Sequence, residues 1–356
     1  MKASYIYIVV FVIGCFVVSC QSEKTYQDEC RFAWTDFETK ELKGHELVFD
    51  EDVMSPYHLI LKDSFLLTLN QGTEKLCHVF NLNSKKKIIE KIMVGQGPED
   101  MIHPFFVDIE SGDSFQIYEP MNSNVYTYSL DSFLQGNKTE SSRKIKLSES
   151  PFWGELSLLD DKMVGSSYRP DAPCYVFGAD GKKQPLGFGE YPKGVENYTN
   201  MEVLGAYRSI VATNKKNRVA VCHMFTDLID FYDENGTLLK RMHGPEHFYT
   251  PFIEFRDGNM VGSRPDGNYY RDAFYSPLCV GEYLFVLYNG KFVDKPNYDL
   301  LATNILVFDW DGNPVCRYKL DKGVSRIAVD VERAKIYGIS DNPEYHIVEF
   351  DYKQLK

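Results

Sequence analysis

Apolar and polar residues alternate in short runs along most of the chain, and turn residues bound the runs at both ends. A period of two over four to eight residues is the mark of a half-buried strand, whereas a helix would repeat every 3.6. One unit recurs: an alternating strand that ends on an aromatic residue, a polar turn often carrying Gly, and then another strand. It is found at residues 77–84, 125–132, 175–181, 229–236, 306–312 and 347–352. Asp180-Gly181, Asn235-Gly236 and Asp311-Gly312 follow the aromatic residue in three of these units. Asn, Asp and Gly tolerate the positive φ that a tight hairpin turn demands, so these pairs predict hairpins. With Phe80, Tyr128, Phe177, Tyr232, Phe308 and Phe350 as anchors, the separations are 48, 49, 55, 76 and 42 residues. Repeats of roughly 40–50 residues built from several short strands predict the blades of a propeller. Six anchors predict six blades, and the separation of 76 predicts an insertion over residues 257–272.

Within the second unit the pattern predicts an innermost strand at 105–109 and a turn at 111–113. The second, third and outer strands follow at 114–119, 125–129 and 143–147. The last unit predicts strands at 325–329, 335–339 and 345–350, and then the sequence leaves no room for a fourth. A strand near the start, residues 46–49, is expected to fill that place and close the ring, which removes exposed strand edges. No run of ten or more residues has a helical period and no linker divides the chain. The expectation is one all-β domain, a six-bladed β-propeller over residues 46–356.

The N-terminus carries a different pattern. Lys2 supplies a positive start, and residues 5–18 follow without a charge. As a helix these fourteen residues would span about 21 Å, short of the roughly 30 Å of a hydrocarbon core, so residues 1–19 read as a signal peptide. The run ends Val17-Val18-Ser19-Cys20, which resembles the lipobox of bacterial lipoproteins, in which the cysteine is acylated after cleavage. Cys20 is therefore the expected lipidation site, residues 20–45 the lipidated Cys and a polar tether, and the cell envelope the expected location. The expected form is an outer-membrane lipoprotein, held to the membrane through Cys20.

Charge narrows the partners. With 51 Asp+Glu against 39 Lys+Arg, the formal charge is −12, which repels phosphate backbones and argues against a nucleic-acid partner. Lys85-Lys86-Lys87 reads as a solvated hairpin. Eight cysteines occur, at 15, 20, 30, 77, 174, 222, 279 and 316. No two of the last six are close in sequence, so there is neither a CxxC redox pair nor a zinc-ligand spacing. Cys77, Cys174, Cys222 and Cys316 adjoin apolar strand residues and are expected to be small buried hydrophobes. An exported compartment also permits disulfides, whose pairing the spacing leaves open.

No catalytic or nucleotide-binding motif is present, and no catalytic residue, cofactor or metal is expected. Asp108 and Asp113 flank a turn and read as solvated turn acids. His243 and His247 lie four apart, but Pro245 between them argues against a helix that would align them on a metal. The links between blades are more informative. Residues 95–99, Gly-Gln-Gly-Pro-Glu, and 243–246, His-Gly-Pro-Glu, both follow an outer strand, and residues 187–192 are a looser version. Glu99 and Glu246 recur at equivalent places and would face a ligand if the links line a channel mouth. Arg169, Arg264 and Arg271 occur beside Tyr168, Tyr269 and Tyr270, a pairing that suits sugars or peptide carboxylates by stacking and forked hydrogen bonding. The ligand-binding candidates are Glu99, Glu246, Arg169, Arg264 and Tyr269.

The anchors with residues 308–313, the GxGPE link and the lipobox together resemble the TolB-like six-bladed propeller lipoproteins of Bacteroidetes, over roughly residues 46–352. These are scaffold motifs: the resemblance implies a fold and carries over no catalytic residue. The expected function is a non-catalytic binding or scaffold module for a glycan, peptide or protein partner. The alternative is a propeller hydrolase or lyase acting on extracellular glycan or peptide at the channel mouth.

Overall fold

A short turn returns each alternating run beside the previous one, so the strands pair antiparallel in sequence order. The computed structural model, which describes residues 25–107, 113–136, 139–150, 155–267, 270–293 and 300–355, arranges them as six blades around an axis. Blade 1 runs Pro56–Lys62, Phe65–Asn70, Lys75–Asn81 and Lys86–Met93 from the axis outward. Blades 2 to 6 begin at residues 105, 156, 209, 274 and 326. All six anchors fall on the third strand of a blade and are at most 1% exposed. Both faces of these strands are covered, since blades pack face to face. Six of the seven clusters of buried apolar side chains each straddle one interface between adjacent blades, and in order they complete the circle.

The predicted turns form with the expected geometry. Gly236 and Gly312 adopt φ of +83° and +76°. Asp233 Oδ1 accepts the amides of Asn235 and Thr237, and Asp309 Oδ1 repeats this with Asp311 and Asn313. In blade 2 the second strand is Ser114–Glu119 as expected. The inner strand is Phe105–Phe106, and residues 108–112, including Asp108 and the expected turn glycine, lie outside the described residues. Asp113 accepts hydrogen bonds from Ser129 Oγ and the Asp131 amide.

The ring closes through the N-terminal side of the chain. Gly44–Leu47 pairs antiparallel with His346–Asp351 as the fourth strand of blade 6, two residues earlier than predicted. Residues 25–45, whose polarity assigned them to a tether, form a belt instead. Glu29–Arg31 and Glu38–Leu42 add parallel fifth strands to the outer edges of blades 4 and 5. Between them Phe32 and Phe37 insert edge-on against Phe308, at 5.4 and 5.5 Å between ring centroids, and Arg317 covers the face of Trp34 at 4.0 Å. Cys20, with the rest of residues 1–24, lies outside the described residues. Among the described residues no helix is long and apolar enough to cross a membrane.

The insertion between blades 4 and 5 is larger than the 257–272 stretch. It contains a hairpin, Phe252–Asp257 and Met260–Pro265, which packs on the short helix Asn200–Ala206 of the preceding link. Glu202 fastens the two: one carboxylate oxygen caps the helix at the Thr199 amide, and the other accepts the Glu254 amide at 2.9 Å. Cys77, Cys174, Cys222 and Cys316 are buried on strands as expected. The six cysteines of the described residues are all free thiols.

Candidate functional site

Each inner strand starts where a link enters it, so first residues of inner strands gather at one end of the axial channel. That end is polar. Arg326 of blade 6 reaches across the channel: its Nη2 lies 2.9 Å from Glu155 Oε1 of blade 3, and its Nε donates to the Tyr57 carbonyl of blade 1 at 3.4 Å. His58 and Ser276 enter from blades 1 and 5. Burial, and then the Arg326 charge, hold the His58 imidazole well below its usual pKa, hence neutral. A bulge between Tyr275 and Leu278 turns Ser276 toward blade 6, where its Oγ accepts the Ile327 amide at 3.2 Å. The far end is apolar, with Val280, Val329 and Val331 on its walls and Lys215 at its rim. The cavity is about 240 Å³.

A second cavity, about 430 Å³, opens on the same face above blades 3 and 4. Three features of the fold make it. The link into blade 4 supplies the helix Asn200–Ala206 as one wall and the inserted hairpin supplies the other. The connections between second and third strands bring up Tyr168 in blade 3 and Phe225 in blade 4. The floor is a run of aromatic rings: Phe225 lies 5.0 Å from Tyr270 and 5.9 Å from Phe252, and Tyr207 lies 6.2 Å from Tyr191. Two guanidiniums border it. Arg208 is half-buried, and its pKa is lowered by that burial. Arg264 is exposed on the hairpin and has no ion-pair partner among the described residues. Aromatic faces beside guanidinium forks bind a planar or sugar-like ligand that carries a carboxylate, by stacking and by charge-assisted hydrogen bonds.

The structure thus brings Arg264 and Tyr168 together with Tyr270, while the remaining candidates lie elsewhere. Tyr269 is outside the described residues. Arg169 does not line the cleft: its guanidinium lies 3.6 Å from Glu149 and 5.9 Å from the Tyr168 ring centroid, and its carbonyl accepts the Tyr191 hydroxyl at 2.9 Å. Glu99 sits at the periphery between blades 1 and 2, accepting from Ser141 Oγ at 3.0 Å and Tyr128 Oη at 3.2 Å. Glu246 pairs with Arg271, whose guanidinium lies 4.0 Å from the Phe248 ring centroid and also binds the Gly290 carbonyl. Beneath that pair Asp227 Oδ2 accepts the amides of Glu246 and His247, at 2.8 and 2.9 Å. Burial, reinforced by the Glu246 charge, pushes the Asp227 carboxyl up to about 8. Both link glutamates thus hold links in place and neither lines the channel. His243 gives Nδ1 to Glu29 at 3.0 Å, and among the described residues no group of three or more His, Cys, Asp or Glu is placed to hold a metal.

Blades, channel and closing strand define a six-bladed β-propeller. The chain matches the TolB-like 6-blade propeller-like family over residues 35–332 and belongs to it. Two solved structures share the fold. A member of the DUF4221 family from Bacteroides vulgatus aligns over 88% of this chain and 96% of its own, at 11% identity and a TM-score of 0.52. A Bacteroides fragilis protein described as exported aligns over 89% and 100%, at 11% identity and 0.50. No curated protein matches the sequence.

Proposed function

We propose that this protein is an exported propeller, anchored to the outer membrane by a lipid on Cys20, which binds a carboxylate-bearing glycan or peptide in the aromatic cleft without transforming it. The observation that carries the reading is the cleft itself: tilted aromatic rings bordered by Arg208 and by Arg264, which has no ion-pair partner among the described residues, a basic island on a chain of net charge −12. Hydrolysis or lysis at the channel mouth is less well supported. Such chemistry needs a free acid or base, and Glu155 already holds Arg326 at 2.9 Å. The anchor rests on the apolar run and the Val17-Val18-Ser19-Cys20 pattern.

Two substitutions test the two halves of the proposal. Arg264→Ala removes a hydrogen bond to a charged group, which is worth about 1.5–3 kcal/mol, so affinity for uronic-acid oligosaccharides or free peptide carboxylates should fall on the order of 10- to 100-fold. Unfolding temperature should not change, because Arg264 is exposed and makes no ion pair among the described residues. Affinity unaffected by this substitution and by Tyr168→Ala would remove the cleft as the site. Cys20→Ala should shift the protein from the membrane to the soluble fraction; a variant that stays with membranes would sink the anchor.

A further inference from the structure

The links between blades and the connections from second to third strands emerge on the face where the cleft opens, and large apolar side chains are exposed there. Met121 is 71% exposed, and Leu300, Val94, Met54, Ile102 and Tyr345 follow at 56% down to 38%. They come from blades 5, 6, 1 and 2, the part of the ring that the cleft does not occupy. Among the described residues the turns of the opposite face expose one large apolar side chain, Val331. The local structure enforces the exposure. Glu119, buried at the end of the second strand of blade 2, accepts the amides of Ile102 and His103 on Oε2, at 2.6 and 3.1 Å, and that of Met121 on Oε1, at 2.9 Å. A buried carboxylate is costly unless its hydrogen bonds are made. Here those bonds fix the two loops that hold Ile102 and Met121 in solvent at the border of one small cavity.

The chain also runs toward Cys20 from this face. The Gln27 amide donates to the Lys193 carbonyl at 2.8 Å, on the link into blade 4, and Tyr26 packs with Tyr207 and Phe252 beneath the cleft. Cys20 is five residues before Thr25, and five residues span at most about 18 Å whatever their conformation. A lipid on Cys20 therefore keeps this face close to the bilayer. Spread around a ring, the apolar side chains form no single patch of the kind a folded partner covers, whereas a fluid, planar surface receives each where it stands. We infer that the link face is a lipid-docking surface: it lies on the membrane with its exposed loop side chains in the headgroup boundary. The cleft is then presented to carboxylates that the membrane itself carries. This inference rests on the anchor proposed above and adds the orientation of the propeller and the source of its ligand. With a net charge of −12, apolar contact holds the face, and zwitterionic headgroups suit it better than anionic ones.

The test is fluorescence quenching of the full chain, exported and lipidated by a bacterial host, in phosphatidylcholine vesicles whose acyl chains carry bromine. Met121→Trp and Leu300→Trp place probes on the link face, Leu239→Trp on an outer edge and Val331→Trp on the opposite face. The wild type, with three Trp, gives the background. Docked side chains sit about 5–10 Å into the boundary, so the link-face probes should be quenched on the order of threefold more than the other two. Val94→Trp replaces any link-face probe that lowers the unfolding midpoint. Ile102→Ser with Met121→Ser, added to Leu300→Trp, should leave flotation with the vesicles intact and remove most of the quenching. Equal quenching at all four positions, or stronger quenching at 239 or 331, would overturn the docking while the anchor stands, and would leave the face to a protein partner or a second copy. A wild type that fails to float with the vesicles would overturn the anchor and this inference with it.

Discussion

Asp230→Ala is expected to destabilise the protein by about 3–5 kcal/mol, because it leaves Arg241 buried and uncompensated. The two form a forked pair inside blade 4, Nε to Oδ1 at 2.8 Å and Nη2 to Oδ2 at 2.9 Å, with side-chain exposures of 4% and 1%. His223 lies 3.4 Å from the same carboxylate and the Tyr232 hydroxyl 3.2 Å from it. Burial alone would raise the Asp230 carboxyl, but the His223 hydrogen bond and the Arg241 charge outweigh it and hold the group below its usual value. A carboxyl lowered by folding stabilises at neutral pH, and that contribution is lost as pH falls through the folded pKa. Arg241 also binds the carbonyls of Gln27 and Glu190, so the pair ties blade 4 to the belt and to the link from blade 3. At about 2–4 °C per kcal/mol, the unfolding midpoint should drop on the order of 10 °C. Replacing both partners, as Asp230→Leu with Arg241→Met, should recover much of the loss, since no orphaned charge remains. A drop below about 2 °C for the single variant would show that the network contributes little.

Removing the chain up to Phe49 is expected to abolish cooperative folding, a larger effect still. It strips the closing strand from blade 6 and both outer strands from blades 4 and 5. The edge of His346–Asp351 is then exposed, and an open apolar strand edge is a template for aggregation. Leu47 also fills the interface between blades 6 and 1 against Leu59, Phe80 and Ile347. Leu47→Ala alone should cost about 2–5 kcal/mol, the usual range for such a deletion in a core. Circular dichroism and light scattering of the shortened chain should show unfolding and association, reversed by a peptide covering residues 25–49. A shortened chain that melts in one transition near the wild-type temperature would mean that blades 1 to 5 hold the ring without closure.

The blades were legible because both faces of each third strand are buried, which forces the apolar run and its terminal aromatic residue onto the sequence six times. Closure was legible from bookkeeping of strands alone, with the closing strand placed two residues too late. The belt was not, because a strand on an outer edge buries little: Glu29–Arg31 and Glu38–Leu42 are mostly exposed and their residues read as a polar tether. Half of the cleft was visible as loop arginine and tyrosine, at Tyr168, Arg264 and Tyr270. Tyr207, Phe225 and Phe252 were indistinguishable from core aromatics, since only the fold turns them toward a cavity. Arg326 and Glu155 come from blades on opposite sides of the axis, and no local pattern links residues that meet only when the ring closes.

Thermal unfolding of the chain from Gln21, measured against acidic and neutral glycans, free peptide carboxylates and divalent metals with and without EDTA, tests the central claim most directly. A ligand at 100 times its dissociation constant stabilises the folded state by about 2.7 kcal/mol, a shift of several degrees. The account predicts such a shift with a carboxylate-bearing glycan or peptide, unaffected by EDTA and lost on Arg264→Ala. A midpoint unmoved by every carboxylate-bearing compound would contradict it.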